Sequence, residues 1–216
     1  MTPAQAKAHV RNQVDEQTAK FWSDAEIWSY LWDAETQLVD KANVFTGNDS
    51  STTTVASTQD YSVPSDLIRI DSLSWNKVKL KAVTLDVYES LSSPNYGGTL
   101  ATGDPVYYYL FNNTVSLYPV PDSAQTLKYW YTKEPTELTD SSTAFSVRTQ
   151  YHNSLVNFAI YKCLMKDMDP RADTYLQMWL NTMDEAVDSY NRTRFEDQHN
   201  HVMDENDMNA TEMGLI

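Results

Sequence analysis

Ile27, Tyr30, Leu31, Ala34, Leu38 and Ala42 recur at three- and four-residue intervals, a spacing that predicts an amphipathic helix with one apolar stripe. Its start is doubly marked: Ser23 and Glu26 have capping-box spacing, and Trp22 and Ile27 have the spacing of a hydrophobic staple. Asp24 and Glu26 also suit the positive end of the helix dipole. Thr2-Pro3 predicts a more polar helix ahead of it, running to about Gln17. The helical period returns with Tyr151, Leu155, Phe158 and Ala159, extended by Leu164 and Met165. Asp169-Pro170 then opens a further helix with Ala172, Tyr175, Leu176, Trp179, Met183, Ala186, Val187 and Tyr190 on one face. Almost nothing joins these last two helices, so they are expected to form an antiparallel hairpin.

Between the helical regions the period shifts towards two. "GNDSSTTTVASTQDYSVP" reads as a polar loop, and "LIRIDSLSW" and "VKLKAV" as a hairpin about Asn76-Lys77. "TLDVYESL" reads as a short helix and "SSPNYGGTLATGDP" as a glycine-rich excursion. "VYYYLF", a turn at Asn112-Asn113, "TVSLY" and "TLKYWYT" are expected to make a three-stranded meander. Pro119 and Pro121, which lack backbone donors, shape its last corner. The fold class is therefore α+β: an α-helical bundle formed by N- and C-terminal helices, with an inserted small antiparallel β module. The expected divisions are 1–46 and 141–195 for the bundle, 47–140 for the β insertion, and 196–216 for an acidic tail.

Composition narrows the function. The chain has 216 residues, 41% of them hydrophobic and 12% aromatic, which suits a folded domain. Its formal net charge of −14 disfavours DNA binding through phosphate contacts. Cys163 reads as a small buried hydrophobe, and His152 as a surface or interface histidine. No apolar run reaches membrane-spanning length, and the first residues resemble no signal peptide, so synthesis in the cytoplasm is expected. His199 and His201 lack a third ligand of fixed geometry, and "DENDMN" lacks the glycine and terminal glutamate of a calcium loop. No phosphate-cradling loop or nucleophile elbow occurs. No catalytic, cofactor or metal residue is therefore assigned, and no enzyme activity is expected.

The aromatic side chains are the remaining candidates for function. Tyr107, Tyr108, Tyr109, Phe111, Tyr118, Tyr129, Trp130 and Tyr131 crowd into one region, and strand alternation sends about half of them away from the local core. Tyr107, Tyr109, Tyr118 and Trp130 are taken as interface candidates. Rows of this kind serve protein interfaces and carbohydrate stacking alike. A carbohydrate-binding module is the alternative from another class, and an enzyme with a site assembled from distant residues is a lesser one.

Four segments, in this order, carry a resemblance: "WSDAEIWSYLWDAE", "YSVPSDLIRIDSLSW", "GDPVYYYLFNNTVSLYPVPDSAQTLKYWYTKEPTEL" and "YHNSLVNFAIYKCLMK". Together they resemble the head-to-tail adaptor, or connector, proteins of tailed bacteriophages. The resemblance implies a homo-oligomeric ring in the virion neck, commonly of twelve subunits. Such a ring lies beneath the portal protein and contacts a tail, nozzle or next neck protein below. It continues the channel through which DNA passes, without sequence-specific binding and without a membrane. It also implies that the arm from about Arg192, with Arg194 and Phe195, contacts the portal. From Arg192 onward the chain has two Arg against six acidic residues.

Overall fold

The computed structural model describes residues 1–92 and 101–199. The chain runs α1 (Pro3–Gln13), α2 (Asp24–Ala42), β1 (Thr46–Thr53), β2 (Asp60–Ser62), β3 (Leu67–Trp75), β4 (Val78–Lys79), β5 (Lys81–Ala82), α3 (Leu85–Ser92), β6 (Tyr107–Phe111), β7 (Thr114–Tyr118), β8 (Thr126–Lys133), a 3-10 turn (Thr149–Tyr151), α4 (His152–Lys166) and α5 (Ala172–His199). The fold is α+β and divides into two units. A helical unit takes Met1–Val44, Leu138–Ala144 and the chain from Arg148, and a β unit takes Phe45–Glu137 and Phe145–Val147.

In the helical unit α4 packs against α1, α2 and α5. It is apolar on most sides, as a central helix must be: Leu155, Val156, Phe158, Ala159, Ile160, Cys163 and Leu164 are all buried. Burial pushes the Cys163 thiol up to about 12, which agrees with a packing role. The Ser23/Glu26 capping box forms as its spacing predicts, and Thr2, expected as an N-cap, makes a second box with Gln5. Gln5 N–H donates to Thr2 Oγ1 at 3.3 Å and Glu26 N–H to Ser23 Oγ at 3.2 Å. Trp22 and Ile27, on either side of the second cap, are buried.

α1 stops at Gln13, short of Gln17, because Asp15 turns to a φ of 55°. The Glu16 carboxylate then gathers the N–H groups of Lys20, Phe21 and Trp22 at 2.7, 3.0 and 3.2 Å, holding the chain in a loop. α5 begins at Ala172 rather than at Pro170, since the Asp169 carboxylate turns back to Arg171 N–H at 2.8 Å. It continues to His199, so residues 196–199 are helical. Residues 93–100 of the glycine-rich excursion and residues 200–216, including His201 and "DENDMN", lie outside the described residues.

One ion pair contributes to the acid stability of this unit. Lys166 Nζ lies 2.6 Å from Glu26 Oε1 and donates to Phe21 O at 3.1 Å, tying the end of α4 to the start of α2. The Lys166 ammonium, then the Ser23 N–H, hold the Glu26 carboxyl down at about 2, against an ordinary 4.5. A depressed folded value gives stability that is complete above pH 4.5 and lost as pH falls towards 2. Solvent screening of this part-exposed pair keeps the effect small. The melting temperature is expected to fall less steeply over that window in Glu26→Gln than in the wild type, with high salt narrowing the difference. Parallel pH profiles of the two proteins would remove this assignment.

The β unit is a two-sheet sandwich rather than a meander. The strand orders are β1-β8-β3-β4 and β2-β7-β6-β5. The two sheets close over Tyr61, Leu73, Trp75, Leu80, Tyr108, Val115, Leu117, Leu127, Tyr129 and Tyr131. Three features depart from the sequence reading. The polar stretch from Thr46 is strand β1, which can stay polar because it is an edge, paired only with β8 (Thr46↔Thr132, Thr53↔Thr126). "VKLKAV" divides at buried Leu80: β4 completes the hairpin with β3 across Asn76 (φ 46°) and Lys77 (φ 68°), whereas β5 pairs in parallel with β6 in the other sheet. The module is therefore not wholly antiparallel.

The third departure lies at the double proline. β6 and β7 form the expected hairpin over Asn112 and Asn113, at φ 42° and 59°. β8, however, pairs with β1 and β3 and not with β7. Pro119 and Pro121 thus mark the point where the chain leaves one sheet for the other: without N–H groups they cannot extend the ladder of β7.

Tyr129 on β8 is fully buried in this core, and among the described residues its hydroxyl has no hydrogen-bond partner. Burial moves its phenol well above the ordinary range. Tyr129→Phe removes an unsatisfied hydroxyl at almost constant shape and is expected to stabilise the β unit by about 1 kcal/mol. Urea unfolding curves measure this, and a loss of stability would show that the hydroxyl has a partner.

Candidate functional site

Each sheet of the sandwich turns one face inward and one outward, and the two outward faces differ in chemistry. On β8, alternation sends Leu127, Tyr129 and Tyr131 inward and Lys128 and Trp130 outward. Lys128 lies opposite Ser74 of β3, which in turn lies opposite Lys79 of β4. The next row holds Asn48, Trp130 and Ser72. Trp130 is 45% exposed, with the Lys128 ammonium 4.3 Å from its ring centroid. Among the described residues neither Lys79 nor Lys128 forms an ion pair. Arg69 and Asp71, also on β3, lie 3.9 Å apart.

On the opposite sheet Tyr108 points inward and Tyr107, Tyr109 and Phe111 outward. Their cross-strand partners are Tyr118, Ser116 and Thr114, and Lys81 lies beside Tyr107. α3 packs on β6 and β7 and lays Tyr88 against Tyr109, with ring centroids 5.7 Å apart and planes at 29°. Phe111 stacks with the same Tyr109 at 6.4 Å and 11°. The result is a ladder of three rings whose outer member, Phe111, is 61% exposed. Besides Lys81, this side of the unit carries three carboxylates. Asp60 accepts from the Ser116 hydroxyl at 2.5 Å, and Asp86 and Glu89 stand exposed on α3.

The sequence-selected residues therefore separate into groups. Tyr107 and Tyr118 are direct cross-strand partners and half-buried, and Tyr109 is engaged by Tyr88 and Phe111. Trp130 is exposed on the other sheet. Arg192 is exposed on α5, and Arg194 and Phe195 lie further along it, beyond the described side chains. Phe111, Tyr88, Lys79 and Lys128 were not selected. Phe111 was in view as an outward residue of an aromatic strand, but the tertiary contact of Tyr88 leaves no local signal.

The helical unit has a groove of about 550 Å³, lined by residues that include Lys7, Arg11, Gln17 and Asp24. Its charges are committed to one another: Lys7 to Asp24 at 2.8 Å and Asp140 at 3.0 Å, and Arg11 to Asp24 through Nε at 3.0 Å. His152 is buried rather than at the surface, because the first turn of α4 packs inward with Tyr151 and Ser154. Among the described residues no group of His, Cys, Asp or Glu is placed to hold a metal ion, and no helix is long and apolar enough to cross a membrane.

A family model described as SU10 adaptor protein matches residues 1–202. No curated protein matches the chain. The chain belongs to the SU10 adaptor protein family, a family of phage head-to-tail adaptors, and its role is that of a structural phage protein of the virion.

Proposed function

We propose that this adaptor forms a ring of about twelve subunits in the virion neck, beneath the portal, as the resemblance to head-to-tail adaptors implies. The ring joins the portal to a tail, nozzle or next neck protein and continues the DNA channel. The helices α1, α2, α4 and α5 form a bundle from both ends of the chain, and the sandwich is its insertion. The arm from Arg192, with Arg194 and Phe195, reaches the portal. A net charge of −14 suits a channel through which DNA passes without being held. No catalytic step belongs to this role.

The family match over residues 1–202 carries this reading. The two outward faces of the sandwich support it, because a cyclic assembly needs two different complementary patches on each subunit. Carbohydrate stacking is less well served: Trp130 already carries the Lys128 ammonium, and Tyr109 is spent on Tyr88 and Phe111. Native mass spectrometry with and without a portal protein tests the proposal. A ring, alone or templated by the portal, is expected. A chain that stays monomeric and ignores the portal overturns it.

A further inference from the structure

The ring reading leaves open which surfaces of one subunit meet the next, and the sandwich answers this. Its two outward faces lie on opposite sides of a single core, so a contact between unlike faces propagates in one direction instead of closing as a symmetric pair. One face is basic with an exposed aromatic: Lys79 and Lys128 in one cross-strand row, Trp130 in the next. The other carries more acid than base, with an exposed aromatic: Asp60 in the row of Tyr109 with Ser116 between them, Asp86 and Glu89 on the covering helix, Lys81 beside Tyr107, and Phe111 at the open end of the ring ladder.

Phe111 and Trp130 are exposed rings of this unit, at 61% and 45%, and they stand on faces whose charge balances differ in sign. Aromatic centres framed by complementary charge suit a specific contact: the rings supply buried area, and the charges set orientation and reject the wrong pairing.

We propose that the Lys79–Lys128–Trp130 face of one copy docks on the Asp60–Asp86–Glu89–Phe111 face of the next, forming the subunit contact of the ring. This rests on the ring reading and names the surfaces that make it. A second copy fits better than nucleic acid as occupant of the basic face. The chain's charge of −14 opposes the approach of a phosphate backbone, while the complementary acidic face is present on every copy.

The test uses the full chain in sedimentation velocity, with and without portal protein. The variants are Lys79→Glu/Lys128→Glu, Asp86→Lys/Glu89→Lys and the four substitutions combined. Each double variant is expected to weaken self-association at least about tenfold, and the combined variant, whose faces are complementary again, to recover most of it. Trp130→Ala and Phe111→Ala are each expected to weaken assembly about tenfold without lowering the melting temperature. If the wild type assembles and the double variants assemble equally well, or if the combined variant fails to recover, the pairing of these two faces is overturned and the ring reading stands. If the wild type stays monomeric with and without portal, both fall. If the Lys79→Glu/Lys128→Glu protein assembles normally but loses binding to duplex DNA, the basic face serves nucleic acid and the proposal is overturned.

Discussion

Trp179→Ala is expected to lower the stability of the helical unit by about 3–5 kcal/mol, the usual cost of emptying a large aromatic site in a packed core. Trp179 is 2% exposed and, among the described side chains of α5, is buried together with only Ala172 and Ala186. Its ring meets Phe158 of α4 at 5.1 Å and 54°, and Phe158 is held in turn by Tyr161 at 5.9 Å. The half-buried Tyr175, Leu176, Met183, Val187 and Tyr190 cannot refill the space without moving α5 as a whole. Trp179→Phe keeps the aromatic contact and is expected to recover about half of the loss. Amide exchange measured separately for α5 and for the sandwich checks the location of the effect. Protection should fall in α4 and α5 and persist in β3 and β8. A loss under about 1 kcal/mol would show that α5 does not depend on this anchor.

Local signals made the helical elements readable in the sequence. The Ser23/Glu26 box needs only residues three apart, the Thr2-Pro3 start needs only two neighbours, and the Trp179 stripe needs only a period. Contacts that close over long sequence distances were not readable. Alternation showed that Tyr129 and Trp130 face opposite ways, but nothing in "TLKYWYT" says that its neighbours are β1 and β3 rather than the adjacent β7. The double proline was legible as an interruption, and only the pairing shows it to be a change of sheet. Leu80 is a similar pivot hidden inside an apparently regular strand. The same limit governs the candidate surfaces. Tyr109 looked available because Tyr88, 21 positions earlier by sequence number, gives no sign that it will cover it.

Arg11→Met is expected to cost about 2–3 kcal/mol, because it removes a buried guanidinium from a part-buried cluster and leaves its partners behind. Arg11 is 6% exposed. Its Nε donates to Asp24 Oδ1 at 3.0 Å and its Nη2 to Trp22 O at 3.0 Å, with a further contact from Nη2 to Asp24. Glu16 Oε1 lies 3.5 Å from Nη1, so one guanidinium joins the end of α1, the loop gathered by Glu16 and the start of α2. Trp22 extends the cluster to α4 through its indole N–H, which donates to Cys163 O at 3.2 Å. Lys7 contacts the same Asp24, but its other partner, Asp140, has a side chain 74% exposed, so Lys7→Met is expected to cost only about 0.5–1 kcal/mol. Arg11→Lys keeps the charge and loses the planar fork that reaches Asp24 and Trp22 O together, so its cost falls between the two. The pH dependence supplies an independent check. Lys7 and then Arg11 hold the Asp24 carboxyl below its ordinary range, so the stability that this carboxylate contributes is present above pH 3.8 and lost as pH falls below it. The gap between wild type and Arg11→Met, read from urea unfolding, should therefore narrow in acid. Equal costs for Arg11→Met and Lys7→Met at neutral pH would show that burial of the guanidinium does not set the strength of this clamp.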